Sequence, residues 1–265
     1  DAPGDHFTNR RMSATGAGYD LSCTTYSPDG RVFQVEYAIK AVEKSGTTIG
    51  LRCIDGVVLG VEKILTTKML LKSSNRRIHT VDTNIGMAMA GYAADARQIA
   101  NRARSEAKSY KSFYGQSIPG THLNDRVSSF IHAYTLYWDM RPFGASVVLA
   151  SYGIDGPELF MIEPSGVSYK YHAAALGKHR LSASTDLEKL DFSTITCREG
   201  VKEVARIIYK LHDDIKDKNF ALELSWVCDA SDRKHVMVPK DIYDEAVSLA
   251  EDAKRQSEMG SDDDE

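Results

Sequence analysis

Residues 26–50 read YSPDGRVFQVEYAIKAVEKSGTTIG, and two structural periods meet in them. Ser27-Pro28-Asp29-Gly30 is a turn, with proline where φ must be pre-set. Val32, Val35, Ile39 and Val42 then recur at helical spacing, with Phe33, Tyr37, Ala38 and Ala41 beside them. That apolar surface is wide for one amphipathic stripe and predicts a helix covered on more than one side. At Gly46-Thr47-Thr48-Ile49-Gly50 the pattern becomes that of a strand. A turn and a helix therefore precede the first strand, which opens on a threonine pair.

Further along the chain, residues 47–64 (TTIGLRCIDGVVLGVEKI) read as two strands around an Asp55-Gly56 hairpin signal, and residues 76–92 as another strand pair. Helical patterns follow over 94–110 and 123–138. Strands return over 145–152 and 158–162, joined through Asp155-Gly156. A helix is expected over 178–190, and Thr196-Cys197-Arg198-Glu199 is a capping-box pattern opening another toward His212. Residues 221–229 form a last strand, and Pro239 opens a last helix. Strands come in hairpin-linked runs and helices in pairs. This order is not βαβ alternation. It predicts an α+β fold, a four-layer αββα sandwich of two stacked antiparallel sheets with helix pairs outside. Residues 19–256 read as one domain. Residues 1–18 read as a flexible tail, with 1–11 an upstream or appended extension, and 257–265 as an acidic tail.

Composition narrows the function. The chain has 265 residues, 42% hydrophobic and 26% charged, enough for a sizeable core. A net charge of −4 and a pI near 6.1 make no case for nucleic acid or an anionic membrane as partner. Cys23, Cys53, Cys197 and Cys228 form no CxxC pair and read as reduced thiols, not a disulfide framework or zinc site. No apolar run approaches the roughly 18 residues of a spanning helix. Gly177-Lys178-His179 is not a phosphate loop, because His172 and His179 stand where glycine and a hydroxyl residue belong. Asp213, Asp214 and Asp217 lack calcium-loop spacing. His122, His132 and His212 read as surface or satisfied core residues. No metal and no cofactor is expected.

Tyr19–Val42, YDLSCTTYSPDGRVFQVEYAIKAV, resembles the N-terminal signature of proteasome α-type subunits. The similarity continues through GVVLGVEK, MAMAGYAADARQIANRAR, YTLYWDMRPFGASVVLASY, FMIEPSG and FALELSWV, over essentially all of residues 16–256. Leu21, the ALELSW segment and the acidic tail are most like the seventh α position. The resemblance implies the N-terminal-nucleophile hydrolase sandwich, which agrees with the element order. It also implies a place in a heteroheptameric α ring of the 20S core particle, in the cytoplasm and nucleus. Such rings gate the channel, dock activators and serve ubiquitin- and ATP-dependent protein degradation. The implied partners are other α subunits, β subunits, and regulatory-particle ATPases or other activators.

Catalytic relatives use a threonine hydroxyl activated by that residue's own free α-amine. By strand alignment the nucleophile position here is Gly46, which has no hydroxyl, and Thr47 and Thr48 become strand residues. Glu62 and Arg77 fall near the acid and lysine positions, but arginine does not exchange a proton near neutral pH. The chain therefore reads as having no catalytic residue; the alternative is an active threonine peptidase whose mature chain starts at Thr47 or Thr48. The resemblance also implies a gate cluster of Tyr19, Asp20, Pro28 and Tyr37, with Leu21 replacing the usual arginine. It implies a helix wedged between subunits through Val32, Phe33, Val35 and Ile39. Arg77 stands where an activator pocket has lysine, or else Arg76-Arg77 is a solvated strand end. Ser261, followed by acids, suits an acid-directed kinase, or the tail merely solubilises.

Overall fold

The computed structural model describes residues 18–65, 67, 69–71, 74–213 and 220–261, the last five of these by backbone alone. The tail expected over residues 1–18 falls, but for Gly18, outside these residues, as do the acidic residues 262–265. The first helix, α1, spans Phe33–Glu43. Strands β1 (Thr48–Cys53) and β2 (Gly56–Ile64) follow as an antiparallel hairpin, then β3 (Ile78–Asp82) and β4 (Ile85–Gly91). Helices α2 (Ala93–Tyr114) and α3 (Gly120–Ala133) lead to β5 (Ala145–Gly153), β6 (Gly156–Ile162), β7 (Ser168–Lys170) and β8 (Ala173–Leu176). Helices α4 (Arg180–Leu187) and α5 (Cys197–Leu211), strands β9 (Phe220–Cys228) and β10 (His235–Met237), and α6 (Lys240–Ser261) complete the order.

The strands form two five-stranded sheets, β10-β9-β2-β1-β8 and β3-β4-β5-β6-β7, with every recorded pairing antiparallel. Strand β2 shows why they stack. Alternate residues of a strand face opposite sides. Val57, Leu59 and Val61 pack between the sheets with Ala88, Val148, Ala150 and Leu159. Val58 faces the other way, into a second core with Val201, Val204 and Ile208 of α5 and Ala246 and Ala250 of α6. A third core joins Met87, Met89 and Leu149 to Ile99 and Ala103 of α2 and to Leu123, Val127 and Ile131 of α3. Both faces of both sheets are covered, so the strands read as nearly continuous apolar runs. These are the four layers of the expected αββα sandwich.

Local signals account for several boundaries. The α5 capping box is closed: Glu199 N–H donates to Thr196 Oγ1 at 3.4 Å, and Thr196 N–H to Glu199 Oε2 at 3.0 Å. Helix α2 ends at Gly115, whose φ of +71° is the left-handed conformation glycine adopts freely. Other expectations are corrected. Helix α3 stops at Ala133, not near Trp138, because Thr135 N–H and Leu136 N–H turn back onto the carbonyls of His132 and Ala133. Leu136, Tyr137 and Trp138 consequently lie exposed in a turn. Three short strands, β7, β8 and β10, were not expected; β8 is Ala-Ala-Ala-Leu, a helix-like composition that pairing with β1 overrides. The last helix runs on to Ser261, into the segment expected as a tail.

Candidate functional site

The start of β1 is built around a close crossing. A Cβ added at Gly46 would lie 2.2 Å from the carbonyl oxygen of Glu62, and one at Gly177 would lie 2.4 Å from that of Gly46. Only glycines allow these backbones to meet. Thr47 N–H, an amide inside the chain, donates to Glu62 Oε2 at 2.9 Å, and Glu62 N–H returns a bond to the Thr47 carbonyl at 2.8 Å. Thr47 and Thr48 are 1% and 0% exposed, and Thr48 Oγ1 donates to the Met89 carbonyl at 3.3 Å. Neither hydroxyl is open to a substrate. Replacing Gly46 with threonine is expected to lower stability by about 2 kcal/mol through overpacking and to create no peptide hydrolysis. Thermal unfolding and a fluorogenic peptide assay check both outcomes.

The other carboxylate oxygen of Glu62 accepts from His212 Nδ1 at 2.6 Å, with the two side chains 3% and 1% exposed. The pair ties β2 to the C-terminal end of α5, and the Phe220 ring lies 4.0 Å from the imidazole. His212 is a satisfied core residue, as one sequence reading had it, but nothing in local spacing pointed to Glu62 as its partner.

Beside this end of the sandwich lies a cavity of about 380 Å³ lined by Lys44, Gly46, Glu62, Lys63 and Arg77, among others. Arg77 is half-buried, and its Nη1 donates to the Gly91 carbonyl at 2.7 Å. Burial, then the charge of Arg97, lowers its pKa from the ordinary guanidinium value while Glu223 opposes them; it remains a cation near neutral pH. Its backbone N–H donates to Glu223 Oε2 at 2.9 Å, and Lys63 Nζ lies 3.9 Å from the same oxygen. Burial raises the Glu223 pKa despite these partners. Arg77 is thus not a freely solvated strand end.

At the head of α1, Gly30 N–H bonds the Ser27 carbonyl at 2.8 Å, closing the turn that carries Pro28, and Gly30 takes a φ of +74°. Ser27 Oγ accepts from Arg31 N–H at 3.0 Å. Tyr37 Oη donates to Asp20 Oδ2 at 3.2 Å, and Gln34 Nε2 donates to the Asp20 carbonyl. Burial first, then the Asp20 carboxylate, raises the Tyr37 phenol pKa. Of the four residues expected to cluster, the structure brings Asp20 and Tyr37 together; Tyr19 and Pro28 are exposed. Leu21 is 88% exposed.

Helix α1 sits on β4 and β5, with Phe33, Ala38 and Val42 turned inward. Phe33 was expected among the partner-facing residues. It is instead 7% exposed and covered by its own chain, with the Arg31 guanidinium 4.9 Å over its ring. Val32, Val35 and Ile39 are half-buried. Val32 and Val35 line a groove of about 540 Å³ with Tyr26, Leu136 and Val167.

Two anchors escaped sequence reasoning. Cys23 Sγ donates to the Tyr137 carbonyl at 3.0 Å, fastening the segment before α1 to the loop after α3. Asp95 takes both Arg141 Nη1 and Nη2, at 2.6 and 2.8 Å, and the Gly144 N–H at 2.9 Å. The Arg141 hydrogen bond holds the Asp95 carboxyl below its ordinary pKa against the effect of burial. A depressed folded pKa means stability present above the unfolded carboxylate value of about 3.9 and lost as pH falls through the lower folded value. Asp95→Asn is therefore expected to cost about 1 kcal/mol at neutral pH, since Arg141 is largely exposed, with the difference vanishing in acid. Denaturation of both chains across that range checks the sign.

Two antiparallel sheets stacked between helix pairs, with a strand opening where Gly46 stands, define a sandwich of the N-terminal-nucleophile hydrolase type. A family model described as "Proteasome subunit" matches residues 42–227, and a model of the N-terminal signature of A-type proteasome subunits matches residues 19–41. The chain belongs to the proteasome subunit family, in its α-type branch. It is 58% identical over 242 residues to "Proteasome subunit alpha type-3" of Arabidopsis thaliana, covering 91% of this chain and 97% of that one. The same-named protein of Oryza sativa subsp. japonica is 60% identical, with the same coverage. "Probable proteasome subunit alpha type-7" of Saccharomyces cerevisiae is 45% identical over 258 residues, 96% of this chain and 88% of that one. Type numbers thus differ among the relatives, so the printed names do not by themselves single out a seventh position.

Proposed function

We propose that this chain is a noncatalytic structural subunit of the proteasome α ring, at the ring position of the relatives named type-3 in plants and type-7 in yeast. The observation that carries this reading is the start of β1. Gly46 is pressed against the Glu62 carbonyl, Thr47 offers an amide where a peptidase needs an amine, and α1 stands ahead of both, packed on β4 and β5. A helix with buried side chains is part of the fold, not a removable leader.

On this reading Asp20, Tyr37, Tyr19 and Pro28 steer the N-terminal segment at the ring opening, and Val32, Val35 and Ile39 meet neighbouring α subunits. The cationic cavity at Arg77 receives an activator carboxylate, which a guanidinium binds in a different geometry from lysine. The β ring packs beneath, and the particle works in cytoplasm and nucleus. Ser261 is the acceptor for an acid-directed kinase; its side chain lies outside the described residues. No helix among the described residues is long and apolar enough to cross a membrane.

The test is native mass analysis of the tagged chain purified from cells, with N-terminal sequencing of the same material. Co-elution with other α and β chains, and a mature start ahead of α1, is the expected result. A mature chain starting at Thr47 or Thr48 would mean a threonine peptidase instead, and a monomer in cells would refute the ring assignment.

A further inference from the structure

Another cavity, of about 380 Å³, opens at the end of β4 remote from Arg77. Gly91 and Tyr92 border the Arg77 cavity, whereas Asn84, just ahead of β4, borders this one. The 7 residues of β4 lie between them and span roughly 20 Å. The lining includes Ile118 and Pro119 ahead of α3, Tyr152 near the end of β5, and the acids Asp155 and Glu158 of the β5–β6 hairpin. This volume is at the small end of cavities that take ligands and suits a single side chain or a molecule of that bulk.

The polar groups of this lining are short of donors. Glu158 is 9% exposed, with its carboxylate set against the first turn of α3. A Cβ added at Gly120 would lie 2.7 Å from Glu158 Oε2 and 2.0 Å from Ser151 Oγ, so a glycine must start that helix. A carboxylate offers about four acceptor positions. Among the described residues Glu158 receives one short bond, from Lys170 Nζ at 2.6 Å, and two long ones, from Thr121 Oγ1 and Ser151 Oγ at 3.4 Å each. The Lys170 side chain is 53% exposed, so solvent can take its place as partner and another cation can replace it. Asn84 Nδ2 donates to the Tyr152 carbonyl at 2.8 Å, which fixes the orientation of the amide. Its Oδ1 is buried with no partner, an acceptor that a bound donor would satisfy. Arg233 also lines the cavity, but its guanidinium lies 4.8 Å over the Tyr152 ring, with Nε 3.2 Å from Asp229 Oδ1.

We propose that this cavity binds the cationic end of an alkyl chain, a guanidinium or ammonium group of the kind that ends an arginine or lysine side chain. Such a group carries donors and no acceptor, which matches a lining with spare acceptors. Glu158 and the exposed Asp155 supply the opposite charge, and Asn84 supplies a neutral acceptor. Ile118, Pro119 and Tyr152 offer apolar surface to the methylene stem, as such stems require. A carboxylate or phosphate ligand would instead meet two acids, with Arg233 already held by Asp229. The assignment is independent of the ring reading, because it uses only contacts within this chain.

The experiment titrates the purified full chain, in whichever assembled form it is isolated, with butylguanidinium, and with butylurea and pentanoate as neutral and anionic counterparts. Calorimetry reads the affinities. The cation is expected to bind about tenfold more tightly than the urea, which is what one charge-assisted hydrogen bond supplies, and pentanoate is expected not to bind. Asp155→Asn should weaken the cation severalfold and leave the urea unchanged, and Glu158→Gln should weaken it about tenfold. Asp155 is exposed in a turn, so its variant keeps the fold whether or not Glu158→Gln does. Spermidine and a capped arginine amide then separate the two sources of such a group, since tighter binding of the amide marks a peptide side chain and tighter binding of spermidine a free polyamine. Equal affinity for the cation and the urea, preference for pentanoate, or a cation affinity unmoved by Asp155→Asn overturns the proposal.

Discussion

Replacing Val35 and Ile39 together with aspartate is expected to abolish incorporation of the chain into a multi-subunit particle while leaving a folded chain. Helix α1 is held to its own sheets by Phe33, Ala38 and Val42. Val35 and Ile39 are half-buried, so in the isolated chain each new carboxylate keeps access to water. Loss of apolar packing there costs about 1 kcal/mol per site. Against a neighbouring subunit the same carboxylates would be dry and unpaired, several kcal/mol each, which is enough to prevent stable assembly. Native mass analysis of the tagged variant reads assembly, and thermal unfolding of the free chain reads stability. Phe33→Asp is the contrast: it buries a charge inside the chain and should unfold it. Normal incorporation of the double variant would refute the assignment of this helix face.

His212→Ala is expected to be the most destabilising single substitution among the polar residues described, by on the order of 3 kcal/mol. It strips the 2.6 Å partner from a carboxylate that is almost wholly buried and that also orders Thr47 at the start of β1. A fall of several degrees in Tm is the reading, since 1 kcal/mol moves a domain of this size by about 2–4 °C. Adding Glu62→Leu to His212→Ala should recover part of the loss, because the stranded charge is then gone. Strictly additive effects would show that the two side chains do not depend on one another.

How much was readable beforehand follows from the range of each signal. The α5 capping box spans four consecutive residues and could be read directly. The Asp55-Gly56 hairpin was equally local. Helix α3 was overextended because Leu136 and Trp138 continue an apolar period that the backbone does not follow. Strand β8 went unseen because a run of alanines carries no period-2 pattern. In the site, Asp20 and Tyr37 were paired through resemblance, and they meet at 3.2 Å. Phe33 is covered by its own chain, which periodicity could not show, because it marks a helix's apolar side but not what covers it.

The sequence by itself determined the four layers, the turn and helix ahead of β1, and the absence of a hydroxyl at Gly46, since period, turn chemistry and residue identity are local properties. Only the tertiary structure decided that Glu62 meets His212 and that Asp95 grips Arg141. Those contacts join residues far apart along the chain, and they exist only once sheet register and helix packing have brought distant segments to a few ångströms.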